Sequence, residues 1–458
     1  MKITDRKPNY MLFLLISLSF LLLRFLYPLA DPGLNLSNST GIFTDEGFFI
    51  LEQRNQILSH GTLLSEFKPL WTNPIFWTWN SLVLRITGLS RLNFRLFNIS
   101  IYVILTFLLW ILYPNNKNKF ILFIIWSSCY TLFGYGRLGM GDSLGLYFQL
   151  LVFVIYLRRK EGKFWYFGLI LALIFIYRIL HIPLIMVIMI DLFFRYAKTR
   201  KVELLFLVIS FLIPVVTWYA YFFLTCDNPQ TYIIFYKSHI SAGIYDYLQK
   251  IYYSYRNPVI LQNIIVILLA LTGITVNFYR KTWTREELLI GGYIVLELLV
   301  FVIVRHKATR YFIVIIPVCA MFVQLMYNKY RKYNKLIFAV ISLFFFTQVY
   351  LITDYYLNLK YTQVNLDNKF ASFPQSEIIA GNPSTGCCFK GTFRCFPVWF
   401  DYFNGTEFIE KHKPRYLTIE YDKDDWQRFM KQDELKLKYK IIDRCPLGKI
   451  DAIIMERK

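Results

Sequence analysis

The sequence predicts a polytopic α-helical membrane protein with about eleven transmembrane helices and a small soluble domain after the last one. Of the 458 residues, 56% are hydrophobic and 18% are charged, whereas soluble domains average about 45–50% and about 25%. Eleven apolar runs approach or reach the ~20 residues that a helix needs to cross a bilayer. The residues after 353 are polar in composition. Soluble, disordered and fibrous proteins and small disulfide scaffolds are therefore excluded.

The apolar runs also predict the orientation of the chain. The first run follows a basic stretch and lacks a small-residue cleavage site, so we expect a retained anchor whose Arg24 reaches the outer interface. If the N-terminus is cytoplasmic, every short loop assigned to that side carries Lys or Arg, as the positive-inside rule expects. The runs are 10–29, 95–113, 120–135, 144–157, 164–177, 181–194, 204–223, 258–278, 288–304, 311–327 and 336–353.

One apolar segment, 74–89, decides this topology. It is short, begins at a proline and contains Asn80 and Arg85. Counting it as a span would invert every later loop. We interpret it as an interfacial helix on the outer face, so that juxtamembrane helices lie in a first outer loop of about 30–93.

The chain is predicted to have two domains. Residues 1–353 form a transmembrane catalytic domain, and residues 354–458 form a soluble extracytoplasmic domain. Strand patterns at 377–381, 415–421 and 451–456, with helical patterns at 406–413 and 424–435, predict a small α/β or α+β fold for the second. Its four cysteines allow up to two disulfides or free thiols. We expect a multi-pass protein of the plasma (inner) membrane, or of the ER membrane in a eukaryote.

The positive charge of the chain follows the membrane topology. The formal net charge is +21, and the first 353 residues carry +19 of it. The basic residues lie between apolar runs, which the positive-inside bias explains. We therefore expect no nucleic-acid partner.

Polar residues that are unusual in a membrane protein collect on the predicted outer side. A cationic cluster between the ninth and tenth spans opposes the positive-inside rule, which indicates an anionic ligand. Carboxylates facing cations suit chemistry on a phosphate ester, because a carboxylate can accept a proton and cations can stabilise a leaving phosphate. Transfer of a sugar from a lipid phosphate to a hydroxyl group needs this arrangement. The residues are Asp45, Glu46, Lys68, Arg91, Arg95, Arg137, Asp142, Arg178, His181, Arg305, Lys307, Arg310 and Tyr311.

The order of several motifs resembles the GT-C membrane glycosyltransferases, in particular the branch of dolichyl-phosphate-mannose protein mannosyltransferases and bacterial aminoarabinose transferases. The resemblance covers roughly residues 10–330. The motifs are Thr44-Asp45-Glu46-Gly47, Lys68-Pro69 with Asn73-Pro74, Gly88 to Arg95, Arg137 to Asp142, and Arg310-Tyr311 to Pro317. The split proline pair, and the outer turn at 177–180, depart from the family pattern.

The resemblance implies an inverting hexosyl- or pentosyltransferase that uses a polyprenyl-phosphate-linked sugar. Asp45 would then be the general base, and Glu46 would orient the acceptor or support Asp45. The resemblance names no certain cofactor, but it leaves open a divalent metal on Asp45, Glu46 and Asp142. The acceptor is left open among a lipid, a glycan and a protein. The implied donor-phosphate ligands are Lys68, Arg137, Asp142, Arg178, Arg305, Lys307, Arg310 and Tyr311.

The alternative is a transporter or flippase for a lipid-linked or anionic substrate. Such proteins usually carry charges at mid-membrane depth and internal repeats. Here the charges gather at one surface, the sequence shows no repeat, and a soluble domain follows the last span. These features favour surface chemistry over transport.

Overall fold

The structure is a computed structural model, and the residues that it describes cover most of the chain. They are residues 10–34, 36, 43–58, 69–113, 118–139, 141–159, 163–177, 181–226, 228–240, 258–303, 312–398, 405–421 and 425–458.

Each of the eleven predicted apolar runs coincides with helical structure. The third run is divided at Cys129 into two helices that share one apolar core. The helices as far as residue 357 are α1 Tyr10–Leu23, α2 Asp45–Phe48, α3 Leu51–Ile57, α4 Pro69–Thr72, α5 Pro74–Thr87, α6 Arg91–Leu112, α7 Lys119–Ser128, α8 Tyr130–Gly136, α9 Gly141–Arg158, α10 Tyr166–Tyr177, α11 Ile182–Tyr196, α12 Lys201–Thr225, α13 Pro229–Ile240, α14 Pro258–Arg280, α15 Arg285–Ile303, α16 Phe312–Lys329 and α17 Asn334–Leu357.

Four helical stretches in the described part of the chain are long and apolar enough to cross a membrane. They are Arg91–Leu112, Lys201–Thr225, Asn263–Arg280 and a stretch within Arg331–Ala371. Other apolar helices are shorter, at 10–17 residues. Only about a tenth of the apolar window in α12 is buried within the protein. Apolar side chains that find no protein partner need a hydrocarbon environment. The chain is therefore a multi-pass membrane protein.

The predicted interfacial helix corresponds to α5, and its ends follow from local sequence. The Asn73 side chain accepts a hydrogen bond from the Phe76 amide at 3.2 Å, and Pro74 occupies the first turn. Gly88 ends the helix with a φ of 69°, a conformation that favours glycine. Fourteen residues extend about 21 Å, less than the ~30 Å of the bilayer core. The structure thus shows a separate short helix here, and its position at the outer interface stays a prediction.

The C-terminal part contains a five-stranded mixed sheet with the order β2-β1-β3-β5-β4. Strands β1, β2 and β3 are parallel, and β5 is antiparallel to both β3 and β4. The sequence predicted β1, β3 and β5, but it missed β2 and β4. The elements are α18 Thr362–Ala371, β1 Ile378–Ala380, α19 Asn382–Gly386, β2 Arg394–Phe396, α20 Gly405–His412, β3 Tyr416–Glu420, α21 Asp425–Met430, α22 Asp433–Lys438, β4 Tyr439–Leu447 and β5 Ile450–Arg457.

One detail differs from the sequence predictions, and another decides between two states that the sequence left open. The last apolar helix, α17, continues to Leu357, four residues past the predicted boundary at 353. The four C-terminal cysteines are free thiols, and Cys387, Cys388 and Cys395 are buried. Free thiols were one of the two states that the sequence left open.

The prediction that Arg24 reaches the interface is wrong. Its side chain is fully buried. One terminal nitrogen donates to the Ser127 carbonyl at 3.1 Å, and the guanidinium lies 4.3 Å from the Tyr102 ring centroid. Stacking on an aromatic face keeps the cation within the helix bundle.

Candidate active site

The predicted catalytic pair lies on α2, a four-residue helix in the first loop. Asp45 begins this helix and is half-buried, whereas Glu46 is fully buried with a relative exposure of 0%. Successive helical residues point in directions about 100° apart. The two carboxylates of the pair therefore have different surroundings.

The Glu46 carboxylate is bound on both oxygens by groups from other elements. Arg95 Nη2 donates to Oε2 at 2.7 Å, and Arg95 Nε donates to Oε1 at 2.9 Å. Arg91 Nη1 donates to Oε2 at 3.2 Å, and the Gly139 amide donates to Oε1 at 2.8 Å. The first loop, the start of α6 and the turn after α8 therefore converge on one carboxylate.

The two arginines extend this arrangement to the C-terminal part. Arg91 Nη2 lies 2.9 Å from Asp367 Oδ2 on α18, and it donates to the Gly386 carbonyl at 2.9 Å. Arg95 Nη2 donates to Gln363 Oε1 at 2.9 Å. We call Glu46, Arg91, Arg95, Gln363 and Asp367 the buried ionic cluster. Its two cations and two anions balance, which a buried ionic group requires.

Asp31 holds the start of the first loop against the same helix. Its two carboxylate oxygens accept hydrogen bonds from the Thr362 amide at 2.7 Å and from the Gln363 amide at 3.0 Å. These are first-turn amides of α18, which have no partner within the helix. Gln363 Nε2 donates to the Phe43 carbonyl at 2.7 Å. Both sides of the loop segment 32–42 are thus fixed to α18.

Burial and charge shift the pKa values of the two clustered carboxyls in opposite directions. Burial alone raises the pKa of Glu46, but Arg95 and Arg91 more than offset this effect, so the pKa lies below its ordinary value of 4.5. Burial raises the pKa of Asp367 above its ordinary value of 3.8 in spite of Arg91. The two arginines therefore favour the ionised form of Glu46.

The backbone of α2 also touches the C-terminal part directly at Gly47. A Cβ atom on Gly47 would lie 2.1 Å from the Thr385 carbonyl oxygen and 2.8 Å from the Gly386 carbonyl oxygen. Backbone atoms at such distances cannot yield without moving the whole loop. Only glycine allows this approach.

We expect Gly47→Ala to lower the free energy of unfolding by about 1–3 kcal/mol, because an added methyl group overpacks the contact. The matched control is Gly292→Ala in α15, where the nearest atom, Val187 Cγ2, would be 4.0 Å away. Thermal or SDS-induced unfolding in detergent measures both variants. Equal stability of the two would contradict the tight docking of α2.

Of the predicted phosphate ligands, Arg137 is the one whose side chain the described part of the chain includes. Arg137 is buried, and it donates to the Tyr356 hydroxyl at 3.0 Å and to the Leu26 and Tyr27 carbonyls at 2.8 and 2.7 Å. Its terminal nitrogens are thus bound to the segment that follows α1 and to Tyr356. Asp142 lies in the first turn of α9, but its side chain is outside the described part. Also outside the described residues are Lys68, Arg178, Arg305, Lys307, Arg310 and Tyr311.

Of the three carboxylates predicted to hold a metal, Glu46 fits that role poorly. Both oxygens of Glu46 already accept from arginines or an amide, whereas a divalent cation needs free carboxylate oxygens. Within the described residues, no group of three or more His, Cys, Asp or Glu could hold a metal ion.

Sequence reasoning missed Asp31, Gln363 and Asp367. They lie more than 260 positions from their partners, and their own sequence context marks none of them. Arg91 and Arg95 carried a signal, because their spacing of four places them on one face of a helix.

Comparison with known proteins supports the fold. No protein-family profile and no curated protein matches the sequence. Among solved structures, ArnT from Cupriavidus metallidurans bound to undecaprenyl phosphate matches with a TM-score of 0.60 and 11% identity, over 97% of each chain. The apo state of the same protein matches with a TM-score of 0.60 and 10% identity, over 97% of this chain and 98% of that one. The chain therefore has the GT-C fold of ArnT, as the order of the motifs predicted.

Proposed function

We propose that this protein is an integral-membrane glycosyltransferase that moves a sugar from a polyprenyl-phosphate donor to an acceptor hydroxyl, with inversion at the anomeric carbon. The observation that carries this proposal is the placement of Asp45. It lies on a short helix that Glu46 and the buried ionic cluster hold in place, beside the start of α6 and the turn after α8. A catalytic base needs such fixed support.

Asp45 is the proposed general base. Its carboxylate takes the proton from the acceptor hydroxyl as that oxygen attacks the anomeric carbon. The bond from that carbon to the phosphate oxygen breaks on the opposite face, which inverts the configuration. Because a phosphate diester leaves as a weakly basic monoester, no strong general acid is required. Glu46 is a positioning residue, which corresponds to the second of the two roles that the sequence left open.

Basic residues are proposed to stabilise the leaving phosphate as its charge develops. This role is proposed from sequence position alone for Lys68, Arg178, Arg305, Lys307 and Arg310, together with Tyr311 and Asp142. Arg137 becomes a positioning residue, because its terminal nitrogens are bound to protein oxygens.

The donor is proposed to carry a polyprenyl chain in the membrane. Two facts support this: the solved ArnT complex contains undecaprenyl phosphate, and helices such as α12 present mostly apolar side chains outwards. The proposed orientation puts the N-terminus in the cytoplasm and the sheet domain outside, because every short loop that it assigns to the cytoplasm carries Lys or Arg.

A transfer assay tests this function. The full-length protein in detergent would receive a panel of polyprenyl-phosphate sugars, with membrane lipid, glycan and protein extracts as acceptors. We expect release of free polyprenyl phosphate and a product whose anomeric configuration, read by NMR, is opposite to that of the donor. A product with retained configuration, or no turnover of any donor, would contradict the proposal.

A further inference from the structure

Two buried cysteines of the sheet domain lie side by side. Cys388 follows α19, Cys395 is the middle residue of β2, and both are 0% exposed. The Cys388 thiol donates to the Thr385 carbonyl at 2.9 Å, and the Cys395 thiol donates to the Ser384 hydroxyl at 3.8 Å. The two thiols are also close enough to share a side-chain hydrogen bond. The fold thus brings two sulfur atoms together beside α19.

The loop between these two cysteines attaches the sheet domain to the first loop of the chain. Arg54 of α3 is fully buried, and its Nε donates to the Cys388 carbonyl at 2.5 Å. Its Nη2 donates to the Gly391 carbonyl at 2.6 Å. The Phe389 ring packs against Phe94 of α6, with 6.1 Å between the ring centroids. A bond that closes this loop would therefore also hold α3 and α6 against the sheet domain.

The surroundings of the two thiols give them different reactivities. The hydrogen bond with Cys395 and the charge of Arg54 hold the pKa of Cys388 below its ordinary value of 9.0, in spite of burial. Burial raises the pKa of Cys395 well above that value, and it does the same for the adjacent Cys387. The thiolate is the form of cysteine that attacks a disulfide. Cys388 is therefore the nucleophile of the pair, and Cys395 is the thiol that follows.

Two other roles for the pair fit these contacts less well. A metal ion would need further ligands, and in the part of the chain that the structure describes no group of three or more His, Cys, Asp or Glu could hold one. A buried cysteine can also serve as a small apolar side chain. That role does not explain two thiols in contact beside a buried cation. The described hydrogen bonds of Arg54 go to two carbonyls and one amide oxygen, so a Cys388 thiolate would supply the missing negative charge.

We propose that Cys388 and Cys395 form a redox-sensitive modification site whose oxidised state is a disulfide that keeps the loop between them closed. The oxidant is a disulfide carried by another molecule. The Cys388 thiolate attacks one sulfur of that disulfide, and the first external thiolate leaves. Cys395 then loses its proton and attacks the Cys388 sulfur, and the second external thiolate leaves. Two electrons pass to the external disulfide, which takes up two protons and becomes two thiols.

The burial of both sulfurs determines when this exchange can occur. Neither sulfur is exposed once the loop is docked, so the external disulfide must react while the loop is open. The proposed orientation puts the sheet domain outside the cytoplasm, where disulfides form and persist. The inference depends on this orientation and not on sugar transfer. A protein without transferase activity could still contain the bond, so the two proposals fail separately.

Mass spectrometry of the full chain tests the bond. N-ethylmaleimide in SDS blocks every free thiol in membranes from cells that produce the protein. Trypsin, without reductant, then releases peptide 370–390 with Cys387 and Cys388, and peptide 395–411 with Cys395. We expect these peptides to be joined, with a mass two hydrogen atoms below the sum of the free peptides. Cys387→Ala should keep the joined pair, and Cys388→Ala should abolish it.

The wild-type chain alone can contradict the proposal. Separate peptides with N-ethylmaleimide on both Cys388 and Cys395 would overturn it, as would a joined pair that persists in Cys388→Ala.

Amide hydrogen exchange in nanodiscs tests whether the bond keeps the loop closed. The Phe389 amide donates to Asp367 Oδ1 at 3.0 Å, so its exchange reports the opening of the loop. Reduction by a phosphine, verified by loss of the joined peptides, should speed this exchange about tenfold, because the loop is no longer cross-linked. The same phosphine should leave exchange in Cys388→Ala unchanged. Equal exchange before and after reduction of the wild type would overturn the closure of the loop by the disulfide.

Discussion

Asp45→Asn should reduce kcat/KM for transfer by about 10²–10⁴-fold, the usual contribution of a general base. Asparagine keeps the shape of the side chain but cannot accept the hydroxyl proton. Asp45 is half-buried at the start of α2, so the isosteric change leaves the fold intact. Rates of polyprenyl phosphate release, with the unfolding midpoint measured in parallel, give the result.

The matched control for this experiment is Asp433→Asn in the sheet domain. It makes the same chemical change at a side chain that is 86% exposed and pairs with Lys436 on the same helix. We expect wild-type transfer from this variant. If Asp45→Asn also kept activity within about threefold, a contribution of less than 1 kcal/mol, Asp45 would not be the base.

The same variant separates transfer from transport. A flippase or transporter moves its substrate without proton abstraction by Asp45, so Asp45→Asn should retain most of its flux. The experiment measures the flux of a labelled lipid across proteoliposome membranes. A flux that requires the protein but not Asp45 would favour the transporter, provided that no sugar transfer is detected.

The second large effect concerns stability. Glu46→Gln should destabilise the fold by about 3–5 kcal/mol, because it leaves the buried Arg95 without its carboxylate. Arg95 is 1% exposed, and the described contacts give it one carboxylate partner, Glu46. Unfolding by SDS in mixed micelles measures the change. The exposed Asp433→Asn is again the control, and we expect no measurable change from it.

A double-mutant cycle distinguishes an ion pair from simple packing. Arg95→Met alone should also cost about 3–5 kcal/mol, since Glu46 then loses most of its compensating charge. The double variant should cost less than the sum by roughly 0.5–3 kcal/mol. Strict additivity would show that the two side chains stabilise the protein independently, which the 2.7 Å contact argues against.

The sequence predicted the helices well because a membrane-spanning helix needs a long apolar run, which is visible in the sequence. The basic loops predicted an interfacial position for α5, and the structure shows a separate short helix in this segment. Arg24 was misplaced, since the sequence cannot reveal that Tyr102 and Ser127 offer it partners inside the bundle.

Strands β2 and β4 were missed. Strand β2 has three residues, and β4 exposes much of its length, so neither carries a clear hydrophobic alternation.

The candidate site was predictable in part. Asp45-Glu46 and the pair Arg91 and Arg95 stood out by their charge next to apolar runs. The different surroundings of Asp45 and Glu46 could not be predicted. They depend on Gln363 and Asp367, which come near the two arginines only in the folded chain. Two adjacent carboxylates look alike in a sequence, and only burial and partners assign one to structure.

The buried ionic cluster also sets an order of events during synthesis. Arg91 precedes Asp367 by 276 positions, and Arg95 precedes Gln363 by 268. The ribosome has therefore delivered the first loop and the apolar helices through α17 before the two arginines meet their last partners. Contacts between such distant positions form late. A nascent chain interrupted before α18 would insert into the bilayer without these partners for its first loop, so the buried ionic cluster is complete only once α18 has been made.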